Sequence, residues 1–279
     1  MQTFFTFLGG LALAVGAMGY LTHLRAEENP PEVPAGVQTK LTVELAGNQS
    51  IADYTTEGVR VLGRFRPADT TVKEPLNFLL FIPTCGAAKT EAGFPLLLFL
   101  HGAGERGDNI EAVKVHGPPM LVETEQKETW PFLTVSPQCP EGKYWSPEQL
   151  LQLLDYVVAN YPVDPDRVYV TGLSMGGFGT WMLLALDPAR FAAAAPICGG
   201  GDPGQAENML DVPIWVYHGA SDSVVPVELS EAMVKAIWEK GGKNIKLTEY
   251  PGVDHNSWTQ TYANPEFYKW LLKQKRGAK

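Results

Sequence analysis

Ser174 stands in Gly172-Leu173-Ser174-Met175-Gly176, between the β-branched run at 168–171 and an apolar run that ends at Leu186. G-x-S-x-G between a strand and a helix is the spacing of a nucleophile elbow. A serine on so sharp a turn sits on strained backbone and needs small neighbours, which Gly172 and Gly176 provide. The helix that follows aims its free N–H groups and the positive end of its dipole at whatever the serine attacks. The chemistry this spacing points to is nucleophilic catalysis.

A serine hydroxyl needs a base, and the base needs an orienting partner. The chain has five histidines. His23 belongs to an N-terminal targeting segment, and His116 lies in Lys114-Val115-His116-Gly117-Pro118-Pro119, which reads as a surface loop. His101 and His218 each precede a glycine directly after a strand and read as turn residues that hold loops. His255 lies just after the last expected strand, where its side chain can reach back to the sheet edge that carries Ser174. It is the candidate base. For the acid, Asp222 follows the strand at 214–217 by a short turn. Asp254 is too near His255 in sequence to fold back onto its ring, and Asp202 and Asp211 lie in the preceding loop. The order Ser174, Asp222, His255 is that of α/β-hydrolases and differs from other triad folds.

Gly102, Gly104 and Gly107 also satisfy G-x-G-x-x-G after an apolar strand, the outline of a dinucleotide-binding turn. That motif needs an unbroken helix and then a second strand ending in an acid about 20 residues on. Gly117-Pro118-Pro119 breaks such a helix, and Glu123 and Glu125 stand well short of the strand expected at 132. The loop reads instead as half of an oxyanion hole, with the N–H of Ala103 as one donor, Gly102 as its alternative, and the N–H of Met175 as the other. Glu105 and Arg106 are expected to pair and hold this loop.

The elements that must position these residues are short apolar runs alternating with helical patterns, which argues for a mostly parallel sheet flanked by helices. Eight strands are expected at 58–65, 76–82, 96–100, 132–136, 168–171, 192–197, 214–217 and 246–250. Helices are expected at 147–160, 175–186, 227–240 and 265–275. No composition break divides residues 40–279, so they form one domain. The interval 199–212, where lids are often inserted, is short, which predicts no large lid and an open cleft. Tyr144, Trp145 and Trp258 fall in loops at the expected site end. Trp145, Trp258 and His101 are the candidates for contact with substrate, against ordinary packing for the tryptophans and loop-holding for the histidine.

A net charge of −9 and the lack of a basic cluster exclude nucleic acid as a partner. Residues 1–25 open on an uncharged apolar stretch and read as a signal peptide or membrane anchor, joined by a Pro-rich linker at 26–39. The expectation is an exported protein whose only membrane attachment is through that segment. Cys85, Cys139 and Cys198 form no C-x-x-C and read as separate thiols, without a metal site. Asn48-Gln49-Ser50 is a formal glycosylation sequon.

Together with 100–107, Ser136-Pro137-Gln138-Cys139-Pro140, 172–177, 196–202 and His255-Asn256-Ser257-Trp258, these features make the chain resemble the α/β-hydrolase superfamily over essentially all of 40–279. More closely, it is similar to exported feruloyl-esterase and polyhydroxybutyrate-depolymerase-like enzymes and to the dienelactone-hydrolase-like "predicted peptidases". The region before Pro75 departs from those patterns. The resemblance implies a Ser174–Asp222–His255 triad, no cofactor, and a carboxylic-ester substrate that is small or polymer-borne. A serine peptidase with the same triad is the alternative enzyme. A non-catalytic exported binding protein of the same fold is the alternative class.

Overall fold

The computed structural model describes residues 42–45, 59–65, 75–83, 88–124 and 128–277. The expected targeting segment with His23, the linker, the sequon at Asn48, Cys85 and Glu125 lie outside them. Nine strands among the described residues form one sheet. They are β1 (Thr42–Leu45), β2 (Val59–Phe65), β3 (Leu76–Ile82), β4 (Phe94–Leu100), β5 (Leu133–Gln138), β6 (Val163–Leu173), β7 (Ala193–Ile197), β8 (Ile214–Gly219) and β9 (Ile245–Tyr250). Their order is β1-β2-β3-β5-β4-β6-β7-β8-β9. From β5 through β9 every neighbour is parallel, while β3 runs antiparallel to both β2 and β5.

All eight expected strands are present. The ninth, β1, pairs parallel with β2 at the sheet edge. β6 begins at Val163, five residues before the expected start, because Phe94 pairs with Val163 across a register shift that accommodates Asp164-Pro165-Asp166.

The strand order places the site. The chain leaves β4 for β5 on one side, then returns past β4 to β6 on the other, so β4 lies between the two. Such a reversal opens a crevice at the carboxyl ends of the strands, where ligands bind in open α/β sheets. Leu100 pairs with Gly172 across this point. The loop after β4 and the turn after β6 therefore leave the sheet side by side.

β4 is buried along its whole length, because helices cover both faces. Leu96, Leu98 and Leu100 join one apolar cluster with Leu150, Leu154 and Trp181, while Leu97 and Phe99 join the other with Tyr262 and Phe267. The first face is covered by α2 (Pro147–Asn160), α3 (Met175–Leu186) and α4 (Glu228–Glu239). The second is covered by α1 (Gly117–Leu121), α5 (Trp258–Ala263) and α6 (Pro265–Leu272). α2 starts where Ser146 accepts the Gln149 N–H and Pro147 takes the first turn. No long helix runs through Gly117-Pro118-Pro119, as expected: a 3-10 helix at Ile110–Val115 stops before them, and the two prolines then start the short α1. Their missing N–H groups are ones that a first turn leaves unbonded anyway. No helix among the described residues is long and apolar enough to cross a membrane. Residues 203–209 form a 3-10 helix that buries Ala206 and Met209, so this interval is packed into the body of the domain and is no lid.

Candidate active site

Ser174 caps the N-terminus of α3 with φ 52° and ψ −115°, a conformation that costs of the order of 1–3 kcal/mol outside glycine. Its surroundings hold it there. The Ser174 N–H donates to the Ile197 carbonyl at 3.0 Å, and its carbonyl accepts the Phe178 N–H at 3.1 Å. Gly176 lies against the Leu100 and His101 carbonyl oxygens, and a Cβ at Gly172 would strike the Gly176 carbonyl. The two glycines of the motif are thus required by backbone packed on backbone.

The three residues expected to act together are brought together. Ser174 Oγ lies 2.9 Å from His255 Nε2, and His255 Nδ1 lies 2.8 Å from Asp222 Oδ2. The Asp222 side chain is fully enclosed, while the His255 side chain is half-buried at 15 % exposure. Burial opposes ionisation of Asp222, but the His218 ring 3.2 Å away and the hydrogen bonds from His255 and the Val225 N–H outweigh it. They hold the carboxyl well below the usual carboxylate range. An ionised Asp222 only accepts, so His255 Nδ1 carries the proton and Nε2 is left to accept from Ser174. Asp222 Oδ1 is fixed by the Val224 and Val225 N–H groups at 2.9 and 2.8 Å. Asp254, set aside as the acid, works as a latch: Oδ1 accepts from Ser223 N–H and from His255 N–H, tying the two loops together.

The loop after β4 has a 3-10 turn at Ala103–Glu105 in place of a long helix. The Gly102 N–H is taken by Glu105 Oε2 at 2.8 Å. Ala103, the other donor expected from this loop, opens the 3-10 turn, and Met175 opens α3. A Cβ on Gly102 would lie 3.7 Å from Ser174 Cβ, so the loop runs directly against the nucleophile. Glu105 and Arg106 do not pair with one another as expected. Arg106 instead donates to the Ala103 and Lys143 carbonyls, because backbone oxygens stand nearer its fork than the Glu105 carboxylate does. Gln138 Nε2 donates to the carbonyls of Glu105 and Asn109, which explains that residue of Ser136-Pro137-Gln138-Cys139-Pro140.

Two candidates for substrate contact are corrected. His101 is wholly enclosed, and burial pushes it down to about 4. Its Nε2 accepts the Cys139 N–H at 2.9 Å and its Nδ1 donates to the Gly102 carbonyl at 2.6 Å, a neutral ring that pins the loop. Trp145 is 4 % exposed; it packs edge-on against His101 and donates to the His101 carbonyl. Trp258 does border the site. Its ring meets His255 edge-on at 5.3 Å and His116 at 5.5 Å, so His116 stands near the site and not on a remote surface loop.

Sequence reasoning missed His218 as a neighbour of Asp222, at 3.2 Å. It also missed Cys198, a buried residue with φ 40° whose sulfur lies within 4.8 Å of donor atoms of both Asp222 and His255. Those three could be imagined around a metal ion, but burial pushes the thiol up, away from the thiolate a metal needs. The other two are bonded to each other. Cys139 and Cys198 are buried and unbridged.

Residues 146–266 match the dienelactone hydrolase family model. Poly(3-hydroxyalkanoate) depolymerase C of Paucimonas lemoignei is 35% identical over 126 residues, covering 39% of this chain and 28% of that one. The bifunctional acetylxylan esterase/xylanase XynS20E of Neocallimastix patriciarum is 30% identical over 148 residues, covering 50% of this chain and 21% of that one. The chain thus spans about a quarter of the length of each. A thermostable esterase of known structure is 36% identical with a TM-score of 0.66, covering 76% of this chain and 63% of the other. The chain has the α/β-hydrolase fold, and its residues 146–266 are similar to the dienelactone hydrolase family.

Proposed function

We propose that this protein is a serine carboxylic-ester hydrolase working through an acyl-enzyme, on bulky or polymer-borne esters of the acetyl or feruloyl type. The observation that carries the reading is the continuous bonded line Ser174 Oγ–His255 Nε2, His255 Nδ1–Asp222 Oδ2, on an elbow held in strained backbone. His255 takes the Ser174 proton as Oγ attacks the ester carbonyl carbon. The carbonyl oxygen, now negative, receives the N–H groups of Ala103 and Met175. One such donor is worth about 2.7–4 kcal/mol of transition-state stabilisation. His255 then returns the proton to the departing alkoxide, which leaves as the alcohol. Water, deprotonated by the same ring, attacks the acyl-serine, and the acid departs as the proton passes back to Oγ.

The substrate class is supported by the partial matches to a polyester depolymerase and an acetylxylan esterase, and by the absence of a lid in the 199–212 interval. Trp258, beside His255, is the aromatic surface available to an acyl or phenolic group. Export is supported by the composition of residues 1–25, and secretion assays on the full chain test it.

The test pairs wild type with Ser174→Ala on short-chain aryl esters, an aryl amide, acetylated xylan, a polyhydroxyalkanoate film and a serine-directed phosphonate. Ester turnover and labelling that both vanish in the variant are the expected result. Amide turnover exceeding ester turnover would replace the esterase with a peptidase. A folded wild type that neither turns over nor labels would leave only a binding protein.

A further inference from the structure

His218, near the end of β8, is fully enclosed. Its Nε2 lies 2.8 Å from the Val225 carbonyl oxygen and 3.2 Å from Asp222 Oδ2. Its Nδ1 lies 2.7 Å from Ser230 Oγ, which is 3.1 Å from the Gly199 carbonyl. A carbonyl oxygen only accepts, so Nε2 carries a proton. That N–H is hydrogen-bonded to the Val225 carbonyl, and the charged carboxylate oxygen of Asp222 is its second, longer contact. Asp222 Oδ2 thus meets two imidazoles, His255 on one side and His218 on the other. Closing the turn does not require the second ring. Asp222 N–H already bonds the Gly219 carbonyl, and Oδ1 already holds the Val224 and Val225 N–H groups.

We propose that His218 is a positioning residue for the base: its Nε2–H anchors the carboxylate oxygen that His255 uses and draws charge from it. His218 thereby sets how strongly Asp222 holds the His255 imidazolium. The inference rests on the triad reading above. A hydrogen bond donated to a carboxylate disperses its charge, so a second donor weakens the hold of that oxygen on the first. Without His218, Oδ2 serves His255 alone, the protonated ring is favoured, and the free base persists only at higher pH. The other titratable groups around the pair are the Cys198 thiol beside Asp222 and His255, Asp254 against the His255 backbone, and His116 across the Trp258 ring. None of them is substituted in the variants below.

The experiment compares kcat/KM–pH profiles on an aryl ester for wild type, His218→Leu and His218→Gln, with melting curves for each. Gln places an amide N–H where Nε2–H stood, and Leu fills the space with no donor. For His218→Leu the acid limb is expected to move up by about half to one pH unit. Its kcat should fall by about tenfold with KM nearly unchanged. His218→Gln should restore the acid limb. A lower Tm with an unmoved limb in His218→Leu would mean that the ring only packs, and the proposal fails. Equal displacement in both variants would show that Nε2–H is not the agent, and it fails again. Should His218→Leu not fold, His218→Met decides: it fills the space with a flexible side chain and no N–H donor, so a raised acid limb supports the proposal and an unmoved one overturns it. Failure of the triad reading looks different, since wild type would then not be labelled at Ser174, or Ser174→Ala would retain activity.

Discussion

His101 makes the loop after β4 acid-sensitive, and the size of the effect follows from its burial. An imidazole in the unfolded chain titrates near 6.5, whereas the enclosed ring is held down to about 4. A ring with a lowered folded value is neutral when folded, so its contribution is complete above the unfolded value and is lost as pH falls from 6.5 toward 4. At pH 5 the unfolded ring is almost fully protonated and the folded ring almost wholly neutral, which costs about 2 kcal/mol relative to pH 7.5. The full span between the two values amounts to about 3 kcal/mol. Glu105, 3.8 Å away, acts in the opposite sense. Burial raises its carboxyl despite the Gly102 N–H, so its term is lost as pH rises. The assay must therefore be a difference. Urea melts of wild type and His101→Gln at pH 7.5 and pH 5 share Glu105 and every other carboxylate, and the glutamine cannot titrate. The variant is expected to be weaker at pH 7.5, having lost a buried partner for the Gly102 carbonyl. The gap should narrow by about 2 kcal/mol at pH 5. Parallel pH slopes in the two proteins would refute the argument.

Three further outcomes follow from the site. Gly176→Ala drives a Cβ into the Leu100 carbonyl oxygen, and should cost at least about 3 kcal/mol or prevent folding, as read by thermal melts; a stable, active variant would contradict the packing. Ser174→Gly and Ser174→Ala should both be inactive, yet the glycine variant should be the more stable by about 1 kcal/mol, since only it relieves φ 52°. Equal stability would show that the elbow stores no strain. Glu105→Ala releases the Gly102 N–H, and steady-state kinetics should show kcat lower by about 10–100-fold with KM within a few-fold. An effect confined to KM would place Glu105 in substrate binding instead.

The strands and the three side chains that meet at Ser174, His255 and Asp222 were legible in the sequence because each is announced locally. A buried parallel strand is a run of apolar residues, and a triad member is a rare residue type hung directly after such a run. β1 was not legible, since four residues pairing at an edge carry no period. Neither was the early start of β6, where Asp164-Pro165-Asp166 reads as a turn but is absorbed at an irregular register. The supporting residues were hidden for a different reason. Glu105 acts three residues away and Asp254 latches a loop 31 residues away. Such partnerships depend on which strand ends meet, which residue type alone does not encode. His101 and Trp145 were drawn toward the substrate by nearness to the loop, and burial assigns them to holding it.

The glycine loop after β4 shows how little separates two functions on one kind of sheet. A pyrophosphate site and an oxyanion hole both need glycines after a strand, so that backbone can approach the ligand, and both present N–H groups that a helix start leaves unbonded. What differs is the next turn. In a dinucleotide site a long helix continues from the glycines, and its dipole and several N–H groups meet a doubly charged ligand. Here the turn closes after Glu105, whose own carboxylate takes up the Gly102 N–H. A loop that occupies one of its donors with a resident carboxylate has little left for a pyrophosphate, and the negative charge would repel it. Under the proposed mechanism, a single oxyanion, formed only during reaction and shared with the start of α3, is the charge this loop receives.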